Sequence, residues 1–246
     1  LHNIAKFIQD NTSTKKTSER LYRNIRRENL AEDIEGILTD LIRPQVTDDT
    51  LFIVDDSDIA KPYAKCMEGC GKVYNGSESK STNGYLLMYI FALLTKQDGY
   101  SLLPASSILF SPAIELDSAK QVLQDRIVDQ QIAFRNRGTY VFDRAYDDRK
   151  LIGFLVNNGV SFVIRGMGKR AIKEGMIEKN FKAEVENMKF DYEFPGLRED
   201  EVLHCAERRI GVRTDDHPSK KSSSVETSLV VVRKYRKDFH QGKDFY

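Results

Sequence analysis

Two apolar, β-prone runs, Tyr85 to Thr95 and Tyr100 to Phe110, flank the tetrapeptide Lys96-Gln97-Asp98-Gly99. An Asp-Gly pair between two such runs is a hairpin signal, so the middle of the chain is predicted to hold two long antiparallel strands side by side. Whatever surrounds this hairpin has to be built around it.

The neighbouring segments supply the rest of an α/β pattern. Thr50 to Val54 is a short apolar run that ends on Asp55-Asp56-Ser57-Asp58, as a buried strand does whose exit carries acids. Lys61 to Gly84 is polar and glycine-rich, with turn formers at Asn75-Gly76-Ser77 and Asn83-Gly84, and reads as a loop. Asp117 is a candidate cap for a helix from Ser118 to about Phe134, with Val122, Ile127 and Ile132 among its apolar positions. After Gly138, Thr139 to Phe142 is a strand that runs into Asp143-Arg144-Ala145-Tyr146-Asp147-Asp148. A helix from Arg149 to about Asn157 and a strand from Val160 to Arg165 follow. Three strands, a helix, a strand, a helix and a strand is the order of an RNase H-like mixed sheet flanked by helices.

Residues 48–165 are therefore expected to form that core. Residues 1–47 read as a helical segment: Leu21, Ile25 and Leu30 begin a stripe that Ile34, Ile37, Leu38 and Leu41 continue, and Pro44 stops it. Residues 166–246 read as a mostly β insertion. Glu186 to Tyr192, Val202 to Ile210 and Ser228 to Val232 are its strand candidates, Gly168 to Val185 is irregular, and Pro218 to Ser224 is a polar loop.

A formal net charge of +1 does not mark a nucleic-acid binder, but the charge is unevenly placed. Arg20, Arg23, Arg26 and Arg27 cluster early; Arg208, Arg209, Arg213, Lys220, Lys221, Arg233, Lys234, Arg236 and Lys237 crowd the end. Such patches hold a phosphate backbone or are simply solvated faces. Three cysteines, Cys66, Cys70 and Cys205, do not make a disulfide framework and fit a reducing cytoplasm. A zinc site drawn from them and His204 has an uncommon spacing, and free thiols are the simpler reading. No apolar run reaches the roughly 20 residues that span a bilayer, and no signal peptide is visible. The chain starts at Leu1 and ends at Tyr246 without obvious start or stop signals, so a fragment of a longer protein is expected.

The chemistry sits in the two acidic clusters. If the strands that carry them are parallel neighbours, Asp55 and Asp143 leave the sheet at one edge and meet although far apart in sequence. Paired carboxylates bind hard divalent ions, and two ions roughly 4 Å apart activate water or a 3′-hydroxyl and stabilise the leaving oxygen of a phosphodiester. That chemistry needs no histidine base. Aspartates after strands also serve as turn and cap residues, and each cluster by itself fits that role as well.

The stretch Ile53-Val54-Asp55-Asp56-Ser57-Asp58-Ile59-Ala60-Lys61-Pro62 resembles the first catalytic block of DDE transposases from bacterial insertion sequences, and Val141-Phe142-Asp143-Arg144-Ala145-Tyr146-Asp147 resembles the second. The likeness covers about residues 50 to 165. It implies a metal-dependent enzyme that cuts and joins double-stranded DNA with two Mg2+ (or Mn2+) ions, working as a dimer in the bacterial cytoplasm. By resemblance Asp55 matches the first metal ligand and Asp143 the second. Asp56 is the rival for the first role, but Ser57 stands at the expected offset from Asp55. Arg144 is expected to touch DNA phosphate or brace the site by ion pairing, with Lys61 and Lys80 as further DNA contacts. Tyr74 and Tyr85 are read as rim aromatics rather than base-stacking platforms, and Asp147 as a turn or cap residue.

Two departures stand out. Ala145 replaces the family's glycine, and no third acid is found in its expected helical block. Tyr235-Arg236 begins like that block but lacks the glutamate, so the third ligand is expected beyond Tyr246 and this chain by itself is expected to cut DNA weakly or not at all. The alternatives are a DNA-binding protein derived from a truncated transposase and another RNase H-like nuclease.

Overall fold

The computed structural model describes residues 2–8, 11–25, 29–76, 78–114, 117–168, 171–174, 177–214, 224–236 and 239–245. Three helices come first: α1 (His2–Phe7), α2 (Thr14–Ile25) and α3 (Leu30–Ile42). A 3-10 turn, Arg43–Gln45, takes over at Pro44, whose ring fits the first turn of a helix but not its interior.

The central sheet follows, with β1 (Leu51–Ala60), β2 (Gly71–Asn75), β3 (Lys80–Lys96), β4 (Gly99–Phe110), α4 (Ala119–Ala133), β5 (Thr139–Phe142), α5 (Arg149–Asn157) and β6 (Phe162–Ile164). The predicted hairpin is β3 and β4, paired antiparallel from Leu86↔Phe110 to Lys96↔Gly99. Gly99 closes the turn at a φ of 132°, a conformation that side chains disfavour. β4 pairs β3, β3 pairs β1 antiparallel, and β1, β5 and β6 run parallel. This is the RNase H-like arrangement, with helices linking the parallel strands. Pro104 is tolerated in β4 because the register slips there, between the pairs Ile90↔Ser106 and Phe91↔Pro104.

Three local expectations are corrected. β1 does not end at Val54 but runs on to Ala60, so the acids lie within the strand. Its antiparallel partner β3 supplies ladder bonds past the point where β5 stops, down to Ala60↔Gly84. The predicted loop from Lys61 to Gly84 likewise contains β2 and the start of β3, paired from Gly71↔Gly84 to Asn75↔Lys80. Ser118 rather than Asp117 caps α4, accepting the Gln121 N–H at 3.2 Å.

One face of the sheet carries the core. Phe52, Val54, Met88, Ile90, Ala92, Leu94, Tyr140 and Phe142, all even-numbered, are buried against Leu123 and Ile127 of α4 and Leu151 and Leu155 of α5. Each of the Val, Leu, Ile, Phe and Met side chains among them contributes about 1.5–3 kcal/mol through removal from water. Phe52 stacks between Phe134 (5.1 Å) and Tyr140 (5.0 Å), and the row continues through Phe142 (6.4 Å) to Tyr146 (5.5 Å). Gly138 enters β5 at a φ of 84°, where an added Cβ would stand 2.6 Å from the Phe52 ring and 2.8 Å from the Thr50 carbonyl oxygen. The N-terminal helices join this core through α3: Ile42 is buried in it, and Glu35 accepts hydrogen bonds from Ser106 of β4 and Arg126 of α4.

The C-terminal part forms a second sheet from β7 (Ala171–Glu174), β8 (Ile177–Asn180), β9 (Tyr192–Pro195), β10 (Glu201–Arg213), β11 (Ser224–Arg236) and β12 (Phe239–Phe245), with α6 (Phe181–Glu186). The strand order is β12-β11-β10-β7-β8, with β9 also on β10. Its core of Ile172, Phe181, Val185, Ile210, Val212, Leu229 and Val231 includes Ile152 from α5, so that helix is buried on two sides. Glu186 to Tyr192 is not a strand: its first residue ends α6 and strand geometry begins only at Tyr192. The loop Pro218 to Ser224 falls outside the described residues except for Ser224, which opens β11. Tyr235 and Arg236 lie in β11 and not in a helix.

Candidate active site on the open face of the central sheet

The parallel ladder between β1 and β5 runs from Leu51↔Thr139 to Val54↔Phe142. The next residue on each segment is an aspartate, Asp55 within β1 and Asp143 just past the end of β5. Neighbouring strands lie roughly 5 Å apart, and side chains alternate between faces. Val54 and Phe142 are buried on the core side, so Asp55 and Asp143 belong to the other side, and both are exposed. Asp143 keeps an extended backbone (φ −76°, ψ −179°), so the alternation of β5 carries through to it.

Asp143 caps a 3-10 turn, Arg144–Tyr146, by accepting the Ala145 N–H at 2.7 Å. Asp55 accepts the N–H of Asp56 at 2.9 Å. Asp56, exposed as well, falls on the other side of the strand, where its Oδ2 accepts the hydroxyl of the buried Tyr146 at 3.2 Å. Loss of solvent around the carboxyl pushes the Asp56 pKa up, and the charges of Asp55, Asp143 and Asp58 push it further, against the Tyr146 hydrogen bond. Burial of its ring, and then the charges of Asp56, Asp55 and Asp143, raise the Tyr146 phenol, which stays protonated and donating. Asp55, Asp56, Asp143 and Tyr146 thus lie within electrostatic reach of one another.

Asp147 and Asp148 serve structure. The Asp147 carboxylate accepts the Met167 N–H at 2.9 Å, and Asp148 caps α5 by accepting from Lys150 and Leu151, both at 3.0 Å. Some burial pulls the Asp148 pKa upward, but the Lys120 ammonium at 2.7 Å and the two amides hold it below the ordinary range.

The proposed DNA contacts are dispersed. Arg144 is exposed beside Asp143, and among the described residues it has no carboxylate partner. Lys80 opens β3, about 30 Å along that strand from Tyr89, the register partner of Asp55. It is paired with Glu78 at 2.6 Å. Lys61 lies just past the end of β1, about 20 Å along the strand from Asp55. Among the described residues, three of the C-terminal basic side chains are already engaged: Arg208 pairs with Glu184, Lys234 with Glu201 at 2.5 Å, and Arg233 lies 4.3 Å over the Phe190 ring. Arg26, Arg27, Lys220, Lys221 and Lys237 are outside the described residues. Tyr74 is exposed, and the Tyr85 hydroxyl donates to the Glu68 carbonyl at 2.5 Å.

Among the described residues no three His, Cys, Asp or Glu side chains converge as a metal site, which includes the group drawn from Cys66, Cys70, Cys205 and His204. The donors that fit a hard divalent ion are the two open-face carboxylates, with other positions left to water or phosphate oxygen, a mode that suits Mg2+. Among the described residues no helix is long and apolar enough to cross a membrane. The participation of Tyr146 was not read from the sequence. Its only signal there was an aromatic three positions after Asp143.

By strand order and connection the chain is an RNase H-like α/β protein with a second, antiparallel sheet at its C-terminal end. No family model matches it, and neither does any curated protein. Among solved structures it is similar to a piggyBac transposase captured in a synaptic complex with hairpin DNA. That similarity has a TM-score of 0.34 and 9% identity over 73% of this chain, which spans 32% of that one.

Proposed function

We propose that this chain carries part of the catalytic centre of a DDE-type transposase, a bacterial cytoplasmic enzyme that cuts and joins double-stranded DNA. The observation that supports this reading most is the Val54↔Phe142 register, which brings Asp55 and Asp143 to neighbouring positions on the open side of the sheet. In this reading Asp55 and Asp143 hold Mg2+ or Mn2+, and Asp56 does not. Bound there, divalent ions supply charge stabilisation at a phosphodiester and activation of a water or 3′-hydroxyl nucleophile. Arg144, exposed beside Asp143, is suited to a DNA phosphate. Lys61 and Lys80 are assigned to DNA farther along the sheet. In this reading a further carboxylate completes the ligand set of the active enzyme.

The test is a Mn2+ titration of the whole chain followed by electron paramagnetic resonance, with Asp55→Ala and Asp143→Ala beside the wild type. Saturable binding that each substitution abolishes is expected. A wild type without affinity for Mn2+, or variants that bind as well as it does, would sink the assignment. Binding of duplex DNA that ignores both substitutions and metal would point to a DNA-holding protein without catalysis.

A further inference from the structure

Tyr146 and Asp56 join the two strands at the place where their backbone ladder stops. The last register pair of β1 and β5 is Val54↔Phe142, so Asp55 and Asp143 sit just beyond it. Asp143 opens the 3-10 turn and Tyr146 is its last residue; Asp56 directly follows Asp55. The Tyr146 hydroxyl, donating to Asp56 Oδ2 at 3.2 Å, therefore links the turn that carries Asp143 to the stretch of β1 that carries Asp55. The ring that holds this hydroxyl is 7% exposed and lies 5.5 Å from Phe142, at the end of the aromatic row through Tyr140 and Phe52. A phenol fixed in this way has little freedom to aim elsewhere.

We propose that Tyr146 and Asp56 form a positioning pair that sets the separation of the Asp55 and Asp143 carboxylates, and that Asp56 acts from the core side without ligating metal. This rests on reading Asp55 and Asp143 as metal ligands. Two carboxylates sharing hard cations tolerate little error in separation, and a misplacement of about 1 Å is enough to lose function. A ladder bond cannot set that separation past Val54, and the side-chain bridge does.

Three substitutions in the full chain separate the roles. Tyr146→Phe keeps the ring and removes the donor. Asp56→Ala removes the acceptor, and Asp56→Asn keeps an acceptor oxygen. Without metal, amide hydrogen exchange in the turn, where Tyr146 N–H donates to Asp143 and Asp147 N–H to Arg144, is expected to rise severalfold in Tyr146→Phe and Asp56→Ala. Exchange at Phe52 and Ile90 is expected to stay as in the wild type. With metal, Mn2+ affinity is expected to fall about tenfold in those two variants, as for residues that orient ligands, and to be retained in Asp56→Asn. Unchanged turn exchange and unchanged Mn2+ affinity in Tyr146→Phe would overturn the proposal. So would loss of binding in Asp56→Ala as complete as in Asp55→Ala, because Asp56 would then be a ligand. If the wild type binds no Mn2+, the metal assignment fails, and the exchange data alone decide whether the pair holds the turn.

Discussion

Arg126 of α4 directs one guanidinium nitrogen at both carboxylate oxygens of Glu35 in α3, each at 2.8 Å. Ser106 of β4 donates to the same carboxylate at 2.7 Å. One acidic side chain thereby ties an N-terminal helix to a strand and a helix of the central layer. Hydrogen bonds to a charged group contribute about 1.5–3 kcal/mol, so Glu35→Ala is expected to lower the unfolding free energy by about 2 kcal/mol. Urea denaturation measures the loss, and exchange at α3 amides should rise with it. A variant as stable as the wild type would mean that α3 is held by its apolar contacts alone.

Gly138 is expected to be nearly irreplaceable. Its φ of 84° disfavours any side chain, and a methyl group there meets the Phe52 ring and the Thr50 carbonyl. Backbone strain of this kind and overpacking each cost roughly 1–3 kcal/mol, so Gly138→Ala should destabilise by roughly 2–4 kcal/mol. Thermal melts of Gly138→Ala and Gly138→Asn provide the check; wild-type melting by the alanine variant would contradict the geometry.

The elevated pKa of Asp56 has a sign. A carboxyl group whose folded value lies above its unfolded one stabilises the fold while protonated, below the ordinary value of 3.8, and that stability is lost as pH rises through the folded value. Asp56→Asn, which stays neutral, should therefore melt higher than the wild type at neutral pH in the presence of a chelator. The gap should close as both are acidified below the ordinary carboxylate value. A gap that persists in acid would assign the gain to something other than charge.

Asp148 runs the opposite way. Its folded pKa is depressed, so its contribution is present above the ordinary value of 3.8 and is lost as pH falls through the folded value. Asp148→Ala removes a helix cap and should cost about 1 kcal/mol at neutral pH. The difference between the two proteins should shrink as pH falls through the folded value and the wild-type carboxylate takes up its proton. Equal stability at neutral pH would show that α5 needs no cap.

Much of the central layer was legible because its signals are local. The hairpin of β3 and β4 follows from two apolar runs around Asp-Gly, and β5 and α5 from an apolar run, an acidic turn and a capped helix. The pairing that a turn specifies involves residues close in the chain. What depends on a distant partner was not legible. The continuation of β1 through Asp58 to Ala60 contradicts the polar character of that stretch, and it is the antiparallel edge of β3 that holds it extended. The C-terminal sheet was only partly legible because β7, β8 and β9 are short and take their places from partners, β7 and β9 from β10 and β8 from β7.

The sequence by itself determined which chemistry is on offer: carboxylates after apolar strand residues, an arginine beside one of them, and alternation that separates Asp55 from Asp56. Tertiary structure decided which carboxylates are neighbours and which face each takes, because the β1–β5 register and the core side are properties of packed strands. It also decided the role of Tyr146, whose hydroxyl reaches Asp56 only because the aromatic row beneath the sheet fixes the ring there. A side chain's type travels with the chain; its partner exists only once the core has closed around it.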